Sequence, residues 1–414
     1  MDRRADPFRI SNNLSKVPVP DGWSHDWQDT DKSESERRDA TVPWHGNVRR
    51  GQFAATSLRL PGTGLSPMRF ATAFFKPLLL SLAAFCVALP SPLLACSGLQ
   101  YRCAGHVYLA KNHDFMMGEG LLIVNPRGTL KAVRDSQAPL EWRSAFGSVT
   151  YNQFGQEHPI GGMNEAGLVV EVLWLEQAQF PPEDARPDIG TLQWVQYQLD
   201  TADSVAAVIA SDERLRIFDP HGKVHYFITD ATGDVAVIEW IGGQRIVHRD
   251  QHLPVRAVAN DPYALALQCL EDRVDPAEAQ RRHVVSHDRF TSLAEVLQQI
   301  PAGDGVAFGF SALDRVRHPD FTQFQTVYCA TAKTLTMRRM IDAAPVVIDL
   351  NDAELFSRGA RYVDLMKAGP ADWRPLTLEV NRAAVFKGFR QTPFLAHLPD
   401  EVLENIARTP LAYQ

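Results

Sequence analysis

The most constraining stretch of this chain is the apolar run at residues 68–95, "MRFATAFFKPLLLSLAAFCVALPSPLLA", which stops at Ala95 and gives way at once to Cys96 and Ser97. Basic residues come early (Arg69, Lys76), an apolar stretch follows from Leu78 to Leu89, and Pro90, Pro92 and small residues precede Ala95. About a dozen apolar residues fall short of the ~20 that span a bilayer, so a signal peptide is the expectation over a transmembrane helix. Export signals lie at an N-terminus, so Met68 is read as the true start of the protein. Residues 1–67 carry "DKSESERRD" and many Asp, Arg, Ser, Pro and Gly, a composition that buries too little surface to fold alone. They are expected to be disordered or an upstream extension. The folded part is expected to begin at Cys96.

Length and composition then limit the partner. The 414 residues, 45% apolar and 22% charged, have globular proportions with room for one large core or two ordinary ones. A net charge of -7, with no long Lys/Arg block, leaves no electrostatic footprint for nucleic acid. A small-molecule partner is expected. The five cysteines (Cys86, Cys96, Cys103, Cys269, Cys329) form no CxxC pair, which argues against zinc and against a disulfide scaffold. A Cys96–Cys103 bridge stays open. His283 and His287 have an i, i+4 spacing that suits a metal on a helix, but with no third ligand nearby they read as a solvated helix face. No metal and no cofactor are expected.

Two readings of Cys96 exclude one another. Cleavage after Ala95 would give one residue both a thiol and an α-amine, with ordinary pKa values near ~8.5 and ~8, a nucleophile and its own base. The amine can take the thiol proton and later hand it to a leaving nitrogen. Leu93, Leu94, Ala95 and Cys96 also suit a lipobox, in which lipidation of the sulfur and acylation of the amine would destroy both groups and tether the protein to a membrane. "LLAC" alone does not separate them.

Four further stretches bear on the choice: "CSGLQY" at 96–101, "AKNHDF" at 110–115, "GGMNEAGLVVEVLWL" at 161–175 and "VANDP" at 258–262, with "SALDRVR" at 311–317 as a weaker fifth. In order and spacing they resemble the choloylglycine hydrolase and penicillin V acylase family of linear amide hydrolases, within the Ntn-hydrolase superfamily. Trp174 and "NPRG" at 125–128 look more like the Gram-negative penicillin V acylase branch. The resemblance implies a catalytic set of Cys96, Asp114, Asn260 and Arg315, and a pocket involving Trp174, Lys111 and Phe115. Asp114, one hairpin away from Cys96, would orient the α-ammonium. The Asn260 side chain and the Trp174 backbone N–H would hold the oxyanion. Arg315 would supply a cation that favours thiolate. Lys111 stands where the family has Arg; it keeps the charge without the planar fork. Asn164 reads as structural, part of a Gly-rich turn.

The implied activity is hydrolysis of an N-acyl amide (penicillin V, an N-acyl homoserine lactone or a related compound) by an exported, periplasmic or secreted protein. A lipid-amide hydrolase and a non-catalytic lipoprotein are the alternatives, and a tetramer is one oligomer the resemblance implies. The segments "GHVYLAKN", "LLIVNP", "GLVVEVLWL", "VHYFITD", "DVAVIEWI" and "VYCATAKTLTMRRM" read as strands, with turns at "ATGD" and "IGGQ". "TLQWVQYQLDTADSVAAVIA" and "SLAEVLQQI" read as helices. Hairpins imply antiparallel sheets. With the resemblance, the expected fold class is α+β, a four-layer αββα Ntn-hydrolase sandwich over residues 96–345, with 346–414 a helical and irregular extension of the same domain.

Overall fold

The first ordered element is a hairpin, β1 (Ser97–Cys103) and β2 (His106–Asp114), turned by Ala104 and Gly105, both with positive φ. In this computed structural model the described residues are 96–133, 139–272, 285–341, 344–352, 354–367 and 373–410, all within the compact unit Phe85–Gln414. The expected signal peptide and upstream extension, Cys86 and His283 lie outside them.

β1 and β2 sit inside a six-stranded antiparallel sheet, flanked on one side by Ala257–Val258 and on the other by Thr322–Cys329, Thr334–Arg339 and Val346–Asp349. A second, nine-stranded antiparallel sheet carries Gly161–Asn164 and Val169–Trp174 near its middle, with Val224–Thr229, Val235–Ile241 and Gln244–Arg249 running to one edge. Helices Ser286–Val296 and Gly305–Arg315 cover the six-stranded sheet. Helix Thr191–Thr201 covers the nine-stranded one. The architecture is the four-layer α+β sandwich anticipated from the sequence.

Strands buried on both faces explain why the segments read as near-continuous apolar runs rather than as alternations. All residues of Val169–Trp174 except Trp174 are buried, and so is every residue of Val224–Thr229. Helix Gly305–Arg315 starts at a cap, the Asp304 carboxylate accepting from Val306 N and Ala307 N, and Ser204 Oγ accepts from Ala207 N at the start of the short helix Val205–Ala210.

Three local expectations change. "VYCATAKTLTMRRM" is a hairpin, Thr322–Cys329 turning through Ala330–Lys333 into Thr334–Arg339; Lys333 takes the positive φ at the turn. "GGMN" is a strand, and its glycines serve close approach: a Cβ on Gly161 would fall 2.2 Å from a Glu171 carboxylate oxygen, and one on Gly162 2.5 Å from Val149 O. The turn comes afterwards, at Gly167. Residues from 346 onward do more than extend the domain. Val346–Asp349 joins the six-stranded sheet, Arg361–Asp364 and Arg374–Pro375 join the nine-stranded one, and Val385, Phe389, Leu403 and Ala407 enter the core between layers.

Asn164 has the structural role expected of it. Its Nδ2 donates to Leu199 O and Ala202 O at 2.9 and 2.8 Å, and its Oδ1 accepts from Ala166 N and Leu168 N. Asn164→Ala would strand buried backbone groups, so chemical denaturation should show a loss of roughly 2–4 kcal/mol, with the specific activity of the remaining folded protein unchanged. Cys96 and Cys103 are both free thiols. β1 lies between them, and an extended strand of this length holds its ends about 20 Å apart, which rules out a bridge.

Candidate active site

Strand register brings the separated motifs together. β1 pairs with Ala257–Val258 as Gly98↔Val258 and Leu99↔Ala257, so two residues further out Asn260 lies across from Cys96. On the other side β2 returns antiparallel, Ser97 opposite Asn112, and delivers Asp114 next to Cys96, whose Sγ lies 3.7 Å from Asp114 O. Trp174 comes from the other sheet. It faces Val224, and because Leu175 N donates to Lys223 O, the Trp174 N–H and C=O point the opposite way, past the end of Gly161–Asn164.

One arginine ties these groups into a unit, and it is Arg289. From helix Ser286–Val296, almost fully buried, it donates through Nη1 to Cys96 O at 2.7 Å and Ser97 Oγ at 2.6 Å, and through Nη2 to Asn260 Oδ1 at 2.8 Å. That last bond fixes which end of the Asn260 amide is oxygen. Nδ2 therefore faces Trp174 O, 2.7 Å away, and an amide nitrogen has a second hydrogen to give.

Arg315 does not take the place expected of it. It closes helix Gly305–Arg315 and pairs with Glu295 at 3.0 Å, with both side chains more than a third exposed. A cation in the last turn of a helix complements the dipole there. Arg289 was the residue missed. The available signal is its position four and seven residues before Leu293 and Val296, on the buried stripe of its helix.

The remaining candidates line one cavity of about 270 Å³ with Cys96 on its wall. Lys111, Asp114, Phe115 and Trp174 all reach it, and Phe154, Ile160, Val172, Phe389, Phe394 and Leu398 make most of its surface apolar. Lys111 is not left as a loose cation: its Nζ is 2.6 Å from Glu171 Oε2, buried, and Tyr328 OH donates to the other oxygen of the same carboxylate. The Trp174 indole donates to Glu176 and its ring packs on Phe394. His287 lies within 4 Å of Asp261 and Asp288, and among the described residues no three His, Cys, Asp or Glu converge as metal ligands.

Electrostatics at Cys96 are opposed. Burial pushes the Cys96 thiol up, while the Lys111 ammonium and the Arg289 guanidinium pull it down against the Asp114 carboxyl. Burial also lifts Asp114, to about 7, although Arg289, the Thr322 hydroxyl on Oδ1 and Lys111 all oppose it. Its Oδ2 is buried with no hydrogen-bond partner.

A folded pKa above the ordinary ~3.9 means that the folded chain binds the extra proton, so stability falls as pH rises through that window. For the uncut chain this amounts to roughly 4 kcal/mol lost between about pH 4 and 7. Urea midpoints at pH 5 and 8 should show the drop, and Asp114→Asn should reduce it, the buried Glu157, also raised to about 7, accounting for the rest.

The family model for linear amide C-N hydrolases of the choloylglycine hydrolase family matches residues 96–301. A curated penicillin V acylase from Pectobacterium atrosepticum is 30% identical over 142 residues, covering 30% of this chain and 37% of that protein. The chain thus matches little more than a third of the length of that relative. Among solved structures, penicillin V acylase from Agrobacterium tumefaciens superposes with a TM-score of 0.59 at 22% identity, over 68% of this chain and 98% of that one. A cysteine-to-alanine mutant of conjugated bile acid hydrolase from Clostridium perfringens gives 0.55 at 17% identity, over 65% and 96%. At these identities the structural likeness is one of fold.

Proposed function

Because the chain belongs to the choloylglycine hydrolase family of linear amide C-N hydrolases, we propose that it is an exported amidohydrolase in which Cys96, freed as a first residue, is the nucleophile. The observation that carries this reading is the Arg289 bridge, which joins the Cys96 carbonyl to the Asn260 amide in one buried hydrogen-bonded unit. The family match beginning at residue 96 agrees with it.

In this mechanism the α-amine of Cys96 takes the thiol proton and Sγ bonds to the carbonyl carbon of an N-acyl amide. The oxyanion that forms accepts from the second Asn260 Nδ2 hydrogen and from the Trp174 N–H. Collapse breaks the C–N bond, and the ammonium returns its proton to the departing amine. Water then cleaves the thioester with the same amine as base. Asp114 Oδ2, buried and unpartnered while the chain is uncut, is the acceptor for the new α-ammonium. Lys111 and Arg289 favour the thiolate.

The acyl group enters the apolar cavity. About 270 Å³ lies below the ~300–1,000 Å³ that encloses a drug-sized ligand, so the cavity takes the acyl part of a substrate and leaves the amine part outside. Phenoxyacetyl, as in penicillin V, or a medium-length acyl chain, as on an N-acyl homoserine lactone, meets that limit better than a steroid. A long lipid amide would have to pass the Thr191 Oγ1 to Asp219 Oδ2 hydrogen bond into a neighbouring groove of about 690 Å³ that shares Gly190, Asp219 and Gly222 with the cavity wall.

The test is intact mass and N-terminal sequencing of the protein exported from a bacterial host, followed by hydrolysis of amides graded in acyl length. A free Cys96 at the N-terminus and a rate that peaks at medium acyl length are expected. A diacylglycerol on Cys96 would overturn the reading.

A further inference from the structure

Asn260 stands where regular structure has run out. The strand before it pairs over only two residues, and helix Tyr263–Glu271 begins only after Pro262, which offers no side-chain cap. Yet the two donors assigned to the oxyanion come from different sheets, and a hydrogen-bond donor displaced by even 1 Å loses much of its effect. Something must hold residues 259–263 against the nine-stranded sheet.

A buried charged cluster does this from behind. Glu239, on Val235–Ile241, is 1% exposed. Its carboxylate accepts from Tyr263 N at 3.3 and 3.2 Å and from His248 Nε2 at 2.9 Å, and lies 3.5 Å from His225 Nδ1. The other nitrogen of that ring, His225 Nε2, donates to Ala259 O at 2.9 Å. The main chain is thus gripped immediately before Asn260 and three residues after it. Tyr263 adds a third hold, its hydroxyl donating to Val255 O and accepting from Val255 N. His225 also sits beside the Val224↔Trp174 pair, so one strand positions Trp174 through its register and Asn260 through its imidazole.

We propose that Glu239 and His225 are positioning residues for the oxyanion site, locking the chain on both sides of Asn260 to the strand that sets Trp174, so that the two donors keep a fixed separation. The inference rests on Asn260 being an oxyanion donor. Glu239 works here as a carboxylate across the protein's working range: burial pushes its pKa up, but the two histidines outweigh it and leave the group lowered to about 2. A carboxylate at the N-terminus of helix Tyr263–Glu271 also meets the positive end of its dipole. What the oxyanion site needs from it is geometry, since Gln in its place can still accept from His248 and Tyr263 N and can donate to a bare His225 Nδ1.

The test is a double-mutant cycle on the mature protein, with penicillin V or N-hexanoyl homoserine lactone as probe, whichever wild type turns over faster. His225→Phe fills the same space and removes the hydrogen bond to Ala259 O together with the contact to Glu239. It is expected to lower kcat about tenfold with KM moved less than twofold, to speed hydrogen exchange across residues 257–263, and to cost nothing further in an Asn260→Ala background. Glu239→Gln should keep kcat within about threefold, and Glu239→Ala should resemble His225→Phe if it folds. An equal loss in both backgrounds, or slow exchange retained in His225→Phe, overturns the positioning role and leaves the oxyanion assignment standing. Unchanged kcat in Asn260→Ala alone overturns that assignment, and an absence of wild-type turnover on both probes overturns the proposed function; either takes the positioning role with it.

Discussion

Cys96→Ser is expected to lower kcat/KM by about three orders of magnitude while leaving the fold intact, a loss of the size seen when a nucleophile is removed and binding survives. Oxygen replaces sulfur at nearly the same volume, on a residue 6% exposed, so packing changes little. The chemistry changes more. Lys111 and Arg289 pull toward an anion on residue 96 against burial, which still holds the thiol above its ordinary pKa, and a pull of that size is far too weak to ionise a hydroxyl. Steady-state kinetics on the preferred amide, with N-terminal sequencing of the variant to separate failed cleavage from failed chemistry, measures this. Activity within tenfold of wild type would remove Cys96 from the mechanism.

Arg289→Met should lower kcat by at least about a hundredfold and destabilise the fold by roughly 3–5 kcal/mol, the cost of breaking a buried charged network from one side. It leaves Cys96 O, Ser97 Oγ and Asn260 Oδ1 each without a donor and frees the Asn260 amide to turn over. Arg289→Lys should recover only part of the rate, since a single ammonium does not reproduce a planar fork serving three acceptors. Arg315→Ala is the matched control. Its partner Glu295 is exposed, and such pairs contribute ~0–1 kcal/mol. Equal effects at the two arginines, read by denaturation and kinetics together, would contradict the division of roles between them.

These two residues also mark how far the sequence could be read. Cys96 and Asp114 were legible because a hairpin is local: eighteen residues with a Gly turn return the chain beside its own start. Asn260 was legible through its motif, and its place across from Cys96 follows from a register no single sequence displays. Arg289 was not legible as a site residue, because nothing in "SHDRF" tells a buried polar network from a solvated face; only the helix packing decides it. Arg289 lies in the first turn of its helix and Arg315 in the last turn of its own, and the motif pointed to the one whose charge is spent at the surface. The sheets were read well for the opposite reason, since strands covered on both faces are mostly apolar. The chain after residue 345 was under-read because its strands are short and lie at the edges of the sheets, where a polar composition is tolerated.

The roof of the cavity has a consequence for the order in which the protein comes into being. Phe389, Phe394, Leu398 and Ile406 close the space over Cys96, a residue about three hundred positions upstream. On the proposed reading, a ribosome making this chain delivers the nucleophile first and the walls of its acyl cavity last. At ordinary elongation rates of ~5–20 residues per second, about fifteen seconds or more separate the two. For that interval the nascent chain holds Cys96 without these four residues, and a polypeptide that stalls short of residue 389 should, on the same reading, remain inert toward amides however well its sheets have formed.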